Sequence, residues 1–129
     1  MILLYIAVGS AAGGVLRYLL GGVIQRATGG TFPVGTLLIN ISGSFLLGLI
    51  YRYSADSAAI SAEMRAMLTI GLCGGYTTFS SFSYESIRLI EDGQFSRALL
   101  YVLLSVVLCL AGTALGIVAG RELLVIRRG

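Results

Sequence analysis

The sequence contains no histidine, no tryptophan and no lysine, only two cysteines and a single proline. Without histidine, the common zinc sites and histidine-based catalytic triads have no members to draw on. Two cysteines do not make a disulfide framework, and Cys73 and Cys109 read as small buried apolar groups. Serine and threonine are plentiful, yet no histidine or lysine stands beside them as a base, which argues against an enzyme using a hydroxyl nucleophile. Charge is scarce as well. Of 129 residues 12% are charged and 57% are hydrophobic, whereas an average soluble domain carries about 25% charged residues. So few charges do not cover a water-facing surface, and residues 1–129 read as one all-α integral membrane domain.

The charges that exist are spaced. Between Arg26 and Arg52 lie 25 uncharged residues, between Arg65 and Glu85 there are 19, and between Arg97 and Arg121 there are 23. The first 25 residues form a fourth such run, broken only by Arg17. About 20 residues, at about 1.5 Å each, cross the roughly 30 Å of bilayer hydrocarbon. Four spanning helices are therefore expected. The first lacks a basic region ahead of its apolar stretch and stays hydrophobic through Leu20, so it reads as a helix and not as a signal peptide. Local signals place the helices at about 2–25, 33–53, 62–90 and 95–121. Thr28-Gly29-Gly30 stops the first, Pro33 opens the second from its first turn, and Glu91-Asp92-Gly93 closes the third.

An even number of spans puts the amino terminus, the loop between helices two and three and the tail on one side, with Arg52, Arg65, Arg121, Arg127 and Arg128. Arg26, Arg88 and Arg97 lie on the other, and Arg17 falls within the membrane. The positive-inside bias is weak. Either it suffices to hold both termini in the cytoplasm, or the chain inserts both ways and opposite copies pair as an antiparallel dimer; the near balance favours dual insertion. The tail arginines stand where anionic lipid headgroups would meet them.

Small residues recur at helical spacing: Gly9, Gly13 and Gly21 in helix one, and Gly112, Gly116 and Gly120 in helix four. Such faces let helix backbones approach closely in lipid. Polar faces are rarer. Thr36, Asn40, Ser44 and Gly48 share one face of helix two, and Tyr101, Ser105, Cys109 and Thr113 share one of helix four. A mid-membrane asparagine either bonds a neighbouring helix or faces water. Tyr101 and Glu85 also suit the membrane interface, as a belt aromatic and as a charge ending an uncharged run.

Helix three holds the strongest anomaly, Gly74-Gly75-Tyr76-Thr77-Thr78-Phe79-Ser80-Ser81-Phe82. Paired glycines and threonines continue a helix poorly, so a break near 74–78 is expected, with a packing kink as the plainer alternative. An unwound turn at membrane depth is tolerated where it is buried in protein or lines a cavity, and its freed carbonyls suit a small cation. Phe79 and Phe82 then fall on nearly one face, interleaved with serines. They are either core packing or ring edges offered to an anion beside hydroxyl donors.

This stretch closely resembles the GGxTTFSTF signature of the Fluc (CrcB) fluoride channels, departing at Ser81 where threonine is usual. Helix two, from Gly35-Thr36 through Asn40 and Gly43 to Gly48, is similar to the family's GTxxxNxxGxFxxG pattern, and Gly13 to Arg17 to its GxxxR element. The resemblance implies a passive, fluoride-selective channel of the cell (inner) membrane that exports cytoplasmic fluoride through two pores of an antiparallel dual-topology homodimer. By position, it implies pore roles for Phe79, Phe82, Asn40 and Ser81, and for Ser105 and Thr113 on helix four. It further implies a structural sodium ion on the backbone carbonyls of Gly74 and Thr77, an anion-drawing vestibule at Arg17, and a pore-wall or gating place for Glu85. Fluoride, a second copy and the lipid bilayer are the expected partners, with no nucleic acid. The alternative is a small dual-topology proton-coupled multidrug antiporter, which needs a membrane carboxylate; Glu85 is the one candidate.

Overall fold

The computed structural model describes residues 1–56 and 59–129, and its regular structure there is entirely helical. Helices α1 (Ile2–Thr28), α2 (Val34–Ala55) and α6 (Phe95–Arg128) are each long and apolar enough to cross a membrane. The third expected span is divided. It begins with α3 (Ala62–Ala66), passes through a π-helical segment (Met67–Cys73) and one helical turn, α4 (Gly74–Tyr76), then restarts as α5 (Phe79–Glu91) after Thr77 and Thr78.

Local chemistry explains most boundaries. Gly29 and Gly30, at φ 64° and 78°, adopt the left-handed backbone that ends α1, and the Gly29 N–H closes the helix on the Gln25 carbonyl at 3.1 Å. Pro33 precedes α2, where its missing N–H goes unneeded. No side chain next to Pro33 caps the helix. Gln25 does so from α1, its Oε1 accepting the Gly35 N–H at 3.0 Å while its Nε2 donates to the Gly30 and Phe32 carbonyls. The expected end of the last helix at 121 is corrected to Arg128, because Arg121-Glu122-Leu123-Leu124 are good helix formers and nothing interrupts them.

Glycine faces build the bundle. On α1, a Cβ at Gly9 would collide with the Met67 carbonyl and one at Gly13 with that of Leu72; Gly71 and Gly75 press back against the backbone of Ile6 and Ser10. On α6, Gly112, Gly116 and Gly120 lie against the carbonyls of Ile41, Phe45 and Leu49, and Gly48 of α2 meets that of Thr113. Gly35 rests on the Gly21 carbonyl and joins the two pairs. Each close approach gains dispersion contact that lipid-facing leucines do not supply.

Little apolar surface is hidden within the chain. Leu37, Leu89, Ala98 and Tyr101 form the buried core, with Phe32, Ile41, Phe82 and Leu104 packed on it. Apolar side chains instead face outward all along α1 and α6, as in a protein whose solvent is hydrocarbon.

Candidate functional site

The break in the third span falls at Thr77 (φ −81°, ψ 157°) and Thr78 (φ −149°, ψ 112°), both extended. The glycines expected to cause it stay helical: Gly74 has φ −64° and ψ −39°. The cause is Asn40, across the bundle on α2. Its Oδ1 accepts the Thr78 N–H at 2.7 Å and its Nδ2 donates to the Thr78 carbonyl at 3.1 Å. In an uninterrupted helix that N–H would close on the Gly74 carbonyl. Three residues on, the Ser81 N–H is taken by Thr78 Oγ1 at 3.2 Å as the N-cap of α5, and so does not reach the Thr77 carbonyl. Two carbonyl oxygens, those of Gly74 and Thr77, are thereby diverted from the helical ladder.

Beside the break runs a groove of about 360 Å³ lined by Asn40, Ser44, Thr78, Phe79, Phe82 and Ser105. The Phe79 ring is 78% exposed and lies 5.4 Å from that of Phe82. Phe82 in turn tilts against Tyr101 at 5.3 Å, and Tyr101 meets Phe32 edge-on at 5.6 Å. The serine hydroxyl of Ser105 is buried in this groove wall and finds no partner among the described residues. Thr113 is not brought to the groove; its hydroxyl bonds back to the Cys109 carbonyl at 3.1 Å.

A second cavity, about 410 Å³, opens between α1, α2 and α5. Arg17, Thr36, Thr78, Ser81, Glu85 and Arg88 line it. Thr78 borders both cavities, which makes the extended turn the partition between them. Arg17, half-buried, and Glu85 thus line one cavity.

Glu85 is held from two helices. Thr36 Oγ1 donates to its Oε1 and the Tyr101 hydroxyl donates to its Oε2, each at 2.7 Å. The belt reading of Tyr101 is therefore corrected, because its side chain is fully buried in the chain, and Glu85 is bonded into the cavity wall beside the rings. Sequence reasoning missed this triad and the Asn40–Thr78 clasp. The signal was present in the polar faces of helices two and four, whose members Thr36, Asn40 and Tyr101 are the ones that reach across. Among the described residues no three of His, Cys, Asp or Glu cluster as metal ligands, so a cation would have carbonyl and hydroxyl oxygens to bind.

Three long apolar helices packed through glycine, beside a fourth helical stretch broken at Thr77 and Thr78, define a small multi-pass membrane protein. Residues 4–117 match the family described as CrcB-like protein, Camphor Resistance (CrcB). The chain belongs to that family. A protein of Geobacter sulfurreducens named Fluoride-specific ion channel FluC is 52% identical over 121 residues, covering 94% of this chain and 98% of its own. Proteins of the same name from Citrifermentans bemidjiense and Coxiella burnetii are 49% identical over 121 residues and 46% over 124, covering 94% and 95% of this chain and 98% and 100% of their own.

Proposed function

We propose that the protein is a fluoride-selective passive channel, built as an antiparallel homodimer with two pores, in which Ala62 to Glu91 crosses the membrane as a broken helix. The observation that carries this reading is the groove itself: neutral hydroxyl and ring-edge groups beside an extended turn, with no cation at its centre. A small, strongly hydrated anion has to shed water to enter and must still leave. A fixed arginine would hold it too firmly. Ring edges of Phe79 and Phe82, the free donor of Ser105 and the second amide hydrogen of Asn40 replace hydration piecemeal. Arg17 in the vestibule raises the local anion concentration without sitting on the path through the rings. Ser81 faces the same vestibule. Fluoride that accumulates in the cytoplasm after entering as hydrogen fluoride would run out along its gradient.

The diverted carbonyls of Gly74 and Thr77 fit a sodium ion: hard oxygen donors, freed from the helix by Asn40 and Thr78 Oγ1. Gly74 is exposed, so in a dimer a second copy can supply the matching pair. The ion would pin the breaks of both subunits together. Against proton-coupled antiport stands Glu85, whose two oxygens are both occupied by hydroxyl donors.

The deciding measurement is fluoride efflux from liposomes holding the purified protein, read with a fluoride electrode. Rapid release with no chloride leak is expected; silence toward fluoride together with proton-driven drug uptake would establish the antiporter instead.

A further inference from the structure

The bundle ends unevenly. At about 1.5 Å per residue, the 34 residues of α6 measure about 51 Å, against roughly 30 Å of hydrocarbon. Its uncharged run 98–120 fills the layer, so Arg121 to Arg128 emerges at headgroup depth. This segment is not a loose tail. Leu124 is buried, and Arg127 Nη1 donates to the Tyr53 hydroxyl at 2.9 Å.

Asp56, just after α2, gathers charge from two helices. Its Oδ2 lies 2.8 Å from Arg52 Nη1, and its backbone carbonyl accepts from Arg128 Nη2 at 3.5 Å. Two guanidinium groups meet there, and one carboxylate balances only one of them. Arg121, seven residues before Arg128, sits two turns along the same helix face. Between them Val125 is 61% exposed, with Ile126 beside it at 74%. At the opposite end Arg88 pairs with Glu91 and Asp92, and Arg97 is bonded to the neutral side chains of Thr31 and Gln94.

We propose that the Arg52–Arg128 end of the bundle binds the phosphate of an anionic phospholipid. Guanidinium groups match phosphate oxygens in geometry as well as charge. Exposed Val125, on the same face and one turn before Arg128 toward the bilayer, gives the glycerol end of a lipid an apolar neighbour that a free ion would not use. The proposal rests on the membrane reading alone and stands apart from which ion is conducted.

Native mass spectrometry of the detergent-purified protein, incubated with equal amounts of phosphatidylglycerol and phosphatidylcholine, tests it. The wild type should retain phosphatidylglycerol preferentially. Charge-driven lipid attraction is worth about fivefold per arginine, so R52Q/R128Q should lower that retention roughly 25-fold while phosphatidylcholine binding is unchanged. Arg97→Gln, at the other end, should retain the wild-type preference. Equal retention of both lipids by the wild type overturns the proposal without reference to any variant. Displacement of the lipid by millimolar inorganic phosphate would also overturn it, as a site for the free ion.

Discussion

Glu85 sits where two hydroxyls, Thr36 and Tyr101, converge on its two oxygens. Tyr101→Phe keeps the ring ladder but removes one donor, leaving a partly buried carboxylate oxygen short of a partner at a cost of about 1–3 kcal/mol. Lower thermal stability in detergent together with reduced fluoride flux is the expected pair of results; unchanged flux would separate Glu85 from conduction. The rings make a sharper claim. Phe79→Ile and Phe82→Ile preserve bulk and remove the electropositive edge, and a loss of about 1.4 kcal/mol in ion stabilisation corresponds to a tenfold fall in flux. Liposome efflux should show at least that fall with the elution volume on gel filtration unchanged. At this scale residue types were legible in the sequence, but destinations were not. A tyrosine near a helix start suits a membrane interface, and nothing local reveals that a carboxylate 16 residues earlier will accept its hydrogen bond in the core.

Elements depend on partners in the same way. The sequence located the break to within a few residues through Gly74, Gly75, Thr77 and Thr78, because all four are weak helix formers. Choosing among them took the α2 amide, which offers Thr78 both a donor and an acceptor and so makes the extended turn as well satisfied as a helix. Asn40→Ala leaves the buried Thr78 N–H and carbonyl unpaired, a cost of about 2–4 kcal/mol. Asn40→Asp keeps the acceptor and loses the donor, so its unfolding midpoint in a denaturant titration should fall between those of the wild type and the alanine variant. Equal stability of all three would mean that the break holds itself. The glycine faces were readable outright, since spacing by four is visible in any sequence and lipid leaves little else to pack helices. Gly116→Val should cost about 1–3 kcal/mol by forcing α6 off the Phe45 carbonyl.

For the whole molecule, the arginine distribution and the exposed apolar surface bear on one question, how many copies insert and in which direction. Five arginines at the tail end against three at the loop end give the insertion machinery little preference. The Gly74 and Thr77 carbonyls meanwhile sit at the break between α4 and α5, the site proposed above to meet its counterpart in an opposite copy. If the chain inserts both ways, a single cysteine placed at Gly129, in a background with Cys73 and Cys109 replaced by alanine, should be labelled by an impermeant thiol reagent from both sides of sealed vesicles, roughly half from each. Adding four arginines to the Glu91-Asp92-Gly93 turn should then reverse the small bias and drive most copies into one orientation, since a few charges near span ends set direction. Fluoride efflux from that variant expressed alone should collapse. Co-expression with a variant biased the other way should restore it. Full flux from copies inserted in one direction only would show that a parallel assembly, or a single subunit, conducts.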